Sequence, residues 1–535
     1  MFTTGQITAV KRRLRVAIAL ILLLGIVFRF TNVSHKPYWH DEVFTTVRVV
    51  GYTGPEIEAA VLAQPLVRAA DLQRFQTLPA DRGWGDTLAS LATHPEHPPL
   101  FYLLARAWVG VAGTTPTALR LLSVVFSLLS LPLMYGLGRS LFADGWTAGL
   151  ATALLAVSPV QVLYAQEARE YSLWVCLTLL SCLALLRALR LTGRQAVQRQ
   201  LAQASRREYW GAWLAYAVST ALCFYTTILS GLVVVAQGLY VLAGGIRRQW
   251  VRFALSVVGA IALFSPWLWV IVSQNQKLES VTGWTTYSRP IGQLVQLWGL
   301  HLSSAVVDFG LPPGHWFGYV APLLLLGLLL AALLQMPMQV GQRATIFCGL
   351  LLTIPALGLI VPDLLLGGQR SSATRYFMPS LLTVLLVLSV WLRGLLFARR
   401  TGLRRWGQTT LAIILAASLI SCTLSASRFT WWNKGVSYHI PVIADTIRAA
   451  DAPLILAALS ANGLGNAISL SYQVPPETPF IFFRREQLPV LPSGYGRYFV
   501  PYASGELIEA LQAEYGRSVN PVQQPGVFEL WELGT

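Results

Sequence analysis

This sequence is short of the residues that mark most other classes of protein. Only 12% of its residues are charged and only 24 are acidic, against 54% that are hydrophobic. A soluble globule is excluded by that balance, because 535 residues of this composition cannot be covered with polar surface. Lysine is almost missing: Lys11, Lys36, Lys277 and Lys434 are all there is, so arginine carries the formal charge of +16. Those arginines gather in short loops between apolar runs, where an anionic leaflet accounts for them and no nucleic-acid partner is implied. The five cysteines, Cys176, Cys182, Cys223, Cys348 and Cys422, all fall inside apolar runs. They act there as small hydrophobes, which leaves no disulfide framework and no metal-spaced cluster.

The last absence is the most informative: the apolar runs themselves contain no Asp or Glu. Many of those runs approach the roughly 20 residues needed to cross a hydrocarbon core, so the chain is a multi-span membrane protein. Lys11, Arg12, Arg13 and Arg15 precede the first run, Val16 to Phe28. No small-residue cleavage site follows it. We read a retained helix with its N-terminus in the cytoplasm, extended outward by Arg29 snorkelling.

Just past this helix the run Pro37-Tyr38-Trp39-His40-Asp41-Glu42 sets two carboxylates beside the membrane surface. Charge placed there is costly unless it is used, so Asp41 and Glu42 are the leading candidates for chemistry. The plainer reading is a solvated loop that ends a helix. Residues 34–116 form a long outer segment rich in Pro, Gly, Trp and charge, ending in His97-Pro98-Pro99-Leu100-Phe101-Tyr102 and an apolar stretch to Gly113. That stretch either crosses the membrane or lies along it. Crossing would put the basic loops around Arg187, Arg190, Arg194, Arg199, Arg206 and Arg207, around Arg247, Arg248 and Arg252, and around Arg399, Arg400, Arg404 and Arg405 outside. The positive-inside rule therefore favours an amphipathic interfacial helix.

About eleven spans result, near residues 14–33, 117–138, 146–164, 171–191, 209–227, 229–246, 251–273, 317–335, 345–362, 376–397 and 408–427. The outer face then receives Asp41, Glu42, His97, Arg120, the Gln166-Glu167-Ala168-Arg169-Glu170 loop, residues 274–316 and Arg370 to Tyr376. It also receives the tail. Short apolar runs and a helix near Gly505 to Tyr515 make that tail a small mixed α/β domain of about a hundred residues. Nothing in it looks catalytic. The expected fold class is an all-α polytopic membrane protein with a small extracytoplasmic α/β C-terminal domain, residues 1–430 and 431–535 forming the two domains.

The Asp-Glu pair after the first helix, His-Pro-Pro-Leu closing the long outer segment, and an arginine opening the next helix in Ala118-Leu119-Arg120-Leu121-Leu122 carry a resemblance. So do Ser158-Pro159 through Tyr164-Ala165-Gln166-Glu167-Ala168-Arg169, and Thr374-Arg375-Tyr376 before a late helix. Over roughly residues 10–430 the chain resembles the GT-C membrane glycosyltransferases, in particular glycosyltransferase family 39, with its protein O-mannosyltransferases and the aminoarabinose transferase of lipid A. It departs from the first in having no large insertion at 274–316, and from the second in having His97 where those have Lys before Pro-Pro.

The resemblance implies an inverting transfer of one sugar from a polyprenyl-phosphate carrier to a lipid, glycan or protein hydroxyl outside the membrane. A hydroxyl is a poor nucleophile near neutral pH, so a carboxylate must take its proton; that role falls to Asp41, with Glu42 orienting or binding the sugar. The leaving phosphate gains charge, and arginine forks match its oxygens, so Arg120, Arg169 and Arg375 are the expected phosphate ligands, with His97 a further donor. Glu167 and Tyr376 are candidates for substrate contact. Arg120 is as readily a residue snorkelling at a helix end. A divalent ion held by His301 and His315 with His94 or His97 is a further option, although scattered histidines are more often satisfied loop residues, and no metal ligand is assigned. Two rivals stand beside the enzyme. A lipid-linked sugar transporter would place charge or broken helices near the bilayer midplane, and a non-enzymatic assembly protein would bind partners through its tail.

Overall fold

The computed structural model describes residues 4–197, 203–311, 314–460, 462–522 and 529–534, without the side chains of 4–10, 194–197 and 203–206. Arg199 lies outside the described residues, as do the side chains of Arg194 and Arg206. The chain divides into two compact units. One comprises Met1–Thr31, His94–Phe101 and Arg120–Ala426, and the other Asn32–Thr93, Tyr102–Leu119 and Ser427–Thr535.

Every expected span is helical. Among the described residues seven helices are long and apolar enough to cross a membrane, or eight if the bent pair Gly145–Val157 and Pro159–Ala165 counts as one span. The other three expected spans fall short for identifiable reasons. Thr4–Phe30 carries Lys11, Arg12, Arg13, Arg15 and Arg29, Gln203–Phe224 is diluted by Tyr209, Trp210, Trp213 and Tyr216, and Ser230–Ala243 has only 14 residues. Burial sorts the helices by depth in the bundle. The apolar windows of Tyr171–Gly193 and Thr374–Leu396 are 83% and 89% buried, whereas those of Arg247–Ser273 and Phe317–Val340 are 22% buried. The first two are therefore interior helices, and the others turn Val258, Trp269, Leu323 and Leu334 outward as lipid-facing surface.

Two sequence expectations need correction here. Arg29 does not snorkel outward. It is fully buried, donating to Ser127 Oγ at 2.8 Å, to Gly25 O at 2.7 Å and to Ala156 O at 2.6 Å. The reason is the break at Ser158-Pro159, where the bent pair turns by 57°. Pro159 has no N–H for the carbonyl of Leu155, and the Val160 N–H turns away to Ser304 O, so the Leu155 and Ala156 carbonyls lose their helical donors. The Arg29 guanidinium replaces both, at 3.4 Å and 2.6 Å, and Cys422 Sγ approaches Val157 O at 3.4 Å. Gly25 allows this approach: a Cβ there would lie 2.4 Å from Ala156 O. The expected span at 146–164 is thus a bent pair of helices, yet every freed backbone group just named is met by protein. The second correction is Asp363. It falls within the helix Gln342–Leu366, past the expected span end at 362, and is buried.

The helix Leu100–Ala112, which from Tyr102 onward belongs to the other unit, has 13 residues, about 20 Å of rise, too short for a hydrocarbon core of roughly 30 Å. Its Arg106 donates to Val49 O at 3.0 Å and to Thr87 Oγ1 at 2.9 Å, and also to Arg82 O. The tail builds five strands of a six-stranded sheet, β1 Val67–Arg68, β2 Pro453–Ala458, β3 Pro479–Phe483, β4 Arg497–Pro501, β5 Val519–Pro521 and β6 Leu530–Leu533, in the order β1-β3-β2-β4-β6-β5. β2 pairs in parallel with both β3 and β4, and the outer pairings are antiparallel. Central parallel strands are covered on both faces, which is why Leu454-Ile455-Leu456 and Phe480 to Phe483 read as unbroken apolar runs. Leu507 and Leu511 of the helix Gly505–Tyr515 complete the core on one face. β1 comes from the long segment after the first helix, with Val67 opposite Phe480.

Candidate active site

The two carboxylates belong to the second unit. The backbone is extended at Trp39 and turns helical at His40, whose N–H donates to Ser437 Oγ at 3.0 Å. Asp41 and Glu42 therefore occupy the first turn of the helix His40–Val50, where unsatisfied N–H groups and the helix dipole favour negative charge. The helix start is pressed against the helix Gly463–Ser471, at a place only glycine can fill: a Cβ on Gly465 would lie 2.3 Å from His40 Nδ1.

Consecutive helical residues point about 100° apart, so the two acids face different surroundings. Glu42 is fully buried, with Lys434 Nζ 3.1 Å from Oε2 and Lys434 itself 1% exposed. The ammonium also lies 5.9 Å from the Trp39 ring centroid. A carboxylate buried to this degree keeps its charge only with such a partner. Asp41 is half-buried, and its backbone carbonyl accepts from Thr45 Oγ1 at 2.9 Å. Lys434 is the residue that sequence reading passed over when it found nothing of chemical interest in the tail. A signal existed, since a lysine within Trp431-Trp432-Asn433-Lys434 is conspicuous in a chain with so few.

The other expected residues, His97, Arg120, Glu167, Arg169, Arg375 and Tyr376, belong to the helical unit. Arg169 sits in the turn between Pro159–Ala165 and Tyr171–Val197. Gln166 anchors that turn by donating to Phe28 O and Thr31 O, both at 2.8 Å, at the end of the first helix. Arg169 N–H donates to Glu167 O at 2.8 Å, and its guanidinium pairs with Glu170 at 3.2 Å. Both Glu167 and Arg169 are buried. Two guanidinium groups share one ring: Arg169 lies 5.7 Å and Arg375 5.9 Å from the centroid of Tyr171. Arg375 also lies 5.5 Å from the Tyr376 ring. Ser123 Oγ donates to Arg169 O at 3.2 Å, and Arg120, buried at 1% exposure, is one helical turn before Ser123 on the same face. Arg120 is thus not a snorkelling residue. His97 Nε2 is 3.5 Å from Glu96 Oε1.

Arg375 is presented by a turn with its own support. Asp363 accepts from Ser371 N–H and Ser371 Oγ, each at 2.7 Å, and pairs with Arg370 at 3.1 Å. His301 Nε2 is 3.1 Å from Ser371 O and Nδ1 is 2.6 Å from Thr374 Oγ1. The first contact requires N–H on Nε2, while the Thr374 hydroxyl can donate to Nδ1 or accept from it. Burial pulls the His301 pKa down to about 4, which leaves the ring neutral near pH 7 with Nδ1 as acceptor. Both ring nitrogens being occupied, His301 has none to offer a metal, and His315 Nδ1 accepts from Phe317 N–H at 3.2 Å. Among the described residues no three His, Cys, Asp or Glu side chains gather where they could hold an ion. What this unit brings together is two guanidinium groups beside one aromatic ring, donors whose geometry matches that of phosphate oxygens.

Residues 96–270 match the model of the family described as dolichyl-phosphate-mannose-protein mannosyltransferase. Among solved structures, ArnT from Cupriavidus metallidurans in the apo state superposes with a TM-score of 0.54 at 13% identity, covering 96% of this chain and 97% of that one. The same protein bound to undecaprenyl phosphate gives 0.52 at 12% identity, covering 99% and 98%. A search of the curated proteins finds no match. Identities this low show fold alone, and they show it over nearly the whole chain. The resemblance read from the sequence is borne out to this extent: the chain is a multi-pass membrane protein with the GT-C fold of ArnT, and its segment 96–270, which includes His97, Arg120, Glu167 and Arg169, matches the mannosyltransferase family model.

Proposed function

We propose that this protein is an inverting glycosyltransferase that moves one sugar from a polyprenyl-phosphate donor to a hydroxyl acceptor on the outer side of the membrane. The observation that carries the reading is the pair of guanidinium groups flanking Tyr171, in a bundle whose fold is shared with a protein bound to undecaprenyl phosphate. Arg169, Arg375 and Arg120 hold the donor phosphate, with His97 as a further donor and Glu167 and Tyr376 beside the sugar. Asp41 takes the proton of the acceptor hydroxyl as its oxygen attacks the anomeric carbon from the face opposite the phosphate. The bond from that carbon to the phosphate oxygen breaks, and the arginines stabilise the negative charge it leaves. Glu42, committed to Lys434, orients the helix start that presents Asp41. In this orientation the N-terminus and the arginine-rich loops are cytoplasmic and the tail is external.

The rival transporter reading gains a broken helix from the structure, but the carbonyls freed at that break are taken by Arg29 rather than left to coordinate a passing ion. The decisive experiment is Asp41→Asn, which keeps size and polarity and cannot accept the proton. Donor binding should survive while transfer from a labelled polyprenyl-phosphate sugar falls about 10²–10⁴-fold. Transfer at the native rate would remove Asp41 from the mechanism. Absence of any lipid-linked sugar transfer by the native protein would remove the enzyme reading.

A further inference from the structure

At its other end the helical unit sets arginine beside a cavity. A cavity of about 730 Å³ lies among the last turns of Pro116–Phe142, Tyr171–Val197 and Ser230–Ala243 and the first turns of Arg247–Ser273 and Gln342–Leu366. Ser140 borders it, about twenty residues beyond Arg120 on one helix, which is about 30 Å of rise or one hydrocarbon thickness. The cavity is thus separate from the arginines around Tyr171.

Its chemistry is amphipathic. Leu141, Leu186, Leu189, Val241 and Ile246 give apolar walls, and Arg190 and Arg343, both exposed, stand at the polar side with Tyr240 and Gln249. The two guanidinium groups come from different helices, yet both border the same cavity as the Tyr240 side chain. Three contacts fix the surroundings. Arg190 donates to Ser140 Oγ, the Tyr240 ring packs edge-on against Phe347 at 5.1 Å, and Gln249 Nε2 donates to Leu189 O at 3.0 Å. Among the described residues no carboxylate lines the space. Two converging cations with no counter-charge, over apolar walls at the end of a membrane bundle, complement a phosphate that carries hydrocarbon.

We propose that this cavity is a binding site for an anionic phospholipid, its phosphate between Arg190 and Arg343 and the upper part of its chains along the leucine-lined wall. The volume falls within the roughly 300–1,000 Å³ of small-molecule sites, enough for a headgroup and the first methylenes while the rest of each chain stays in the bilayer. The same end carries Arg187, Arg247 and Arg248, so in the orientation proposed above the lipid comes from the cytoplasmic leaflet. The binding itself is independent of that orientation.

The test uses full-length protein, purified in mild detergent and stripped of lipid, titrated with tail-labelled phosphatidylglycerol, with phosphatidylcholine and with inorganic phosphate. Phosphatidylglycerol should bind saturably. Arg190→Ala with Arg343→Ala should weaken it at least about tenfold, the two Lys replacements should weaken it less, and Arg400→Ala, an exposed arginine outside the cavity, should leave it unchanged. Equal binding of phosphatidylcholine would mean annular lipid only, and would overturn the proposal. Inorganic phosphate competing as strongly as the lipid would overturn it in favour of a free-anion site, and native affinity in the double variant would overturn it outright. Should the double variant fail to fold, the single replacement Arg343→Gln and the lipid panel on native protein give the same decision.

Discussion

The carboxylate region and the arginine region treat charge in opposite ways. At the start of His40–Val50, two neighbouring acids are divided: Glu42 is sealed against Lys434, while Asp41 stays half-buried. Around Tyr171, guanidinium groups are gathered: Arg169 and Arg375 face one ring, and Arg169 pairs with Glu170. The first arrangement fixes one group so that its neighbour has a defined direction. The second gathers cations from two separate parts of the chain at one aromatic ring.

The largest expected effect tests the first half of this contrast. Lys434→Met leaves Glu42 buried without its cation and should cost about 3–5 kcal/mol, read as a fall in thermal midpoint of the detergent-solubilised protein. Adding Glu42→Gln should restore most of it. If the double variant is as unstable as the single one, the pair is not the element that holds this helix start.

Next come the arginines, where loss of function rather than of stability is expected. Arg169→Ala or Arg375→Ala should weaken polyprenyl-phosphate binding about tenfold to a hundredfold, the range for hydrogen bonds to charged groups, and Lys should recover only part. Native affinity in both Ala variants would show that the shared ring is a packing feature. A smaller effect belongs to His301, which supports the Arg375 turn. Its ordinary pKa is about 6.5 and its folded value about 4, so the unfolded chain takes up a proton that the folded protein refuses. Stability should therefore be flat above pH 6.5 and decline below it, by at most about 1.4 kcal/mol per pH unit until about pH 4. His301→Gln should flatten that part of the profile; an unchanged slope would assign the decline to other groups.

These regions also differ in how far they could be read beforehand. Apolar runs report helices because burial has a period, and all eleven expected spans are helical. Charge in a membrane protein is scarce enough that Asp41, Arg169 and Arg375 stand out singly. Partners do not follow from such signals. Lys434 meets Glu42 across 392 positions of sequence, and β1 joins a sheet whose other strands begin at Pro453. Arg29 was misread because a terminal arginine in a helix is usually a surface residue. Its actual role depends on carbonyls freed by Pro159 more than a hundred residues later, which no local pattern encodes.

That dependence reaches into biosynthesis. Arg29 leaves the ribosome before Ser127, Leu155 and Ala156 exist, so the first helix enters the membrane carrying a cation whose acceptors are not yet made. A charged residue within a span opposes insertion by up to about 2.5–3.5 kcal/mol at the bilayer centre. The first helix is accordingly expected to remain loosely held, and to commit only when the third span delivers its broken turn. Truncated chains ending before residue 155 should release it to alkaline extraction, chains ending after residue 165 should retain it, and Arg29→Leu should abolish the difference. Equal extraction of both lengths in the native sequence would separate the order of insertion from this contact.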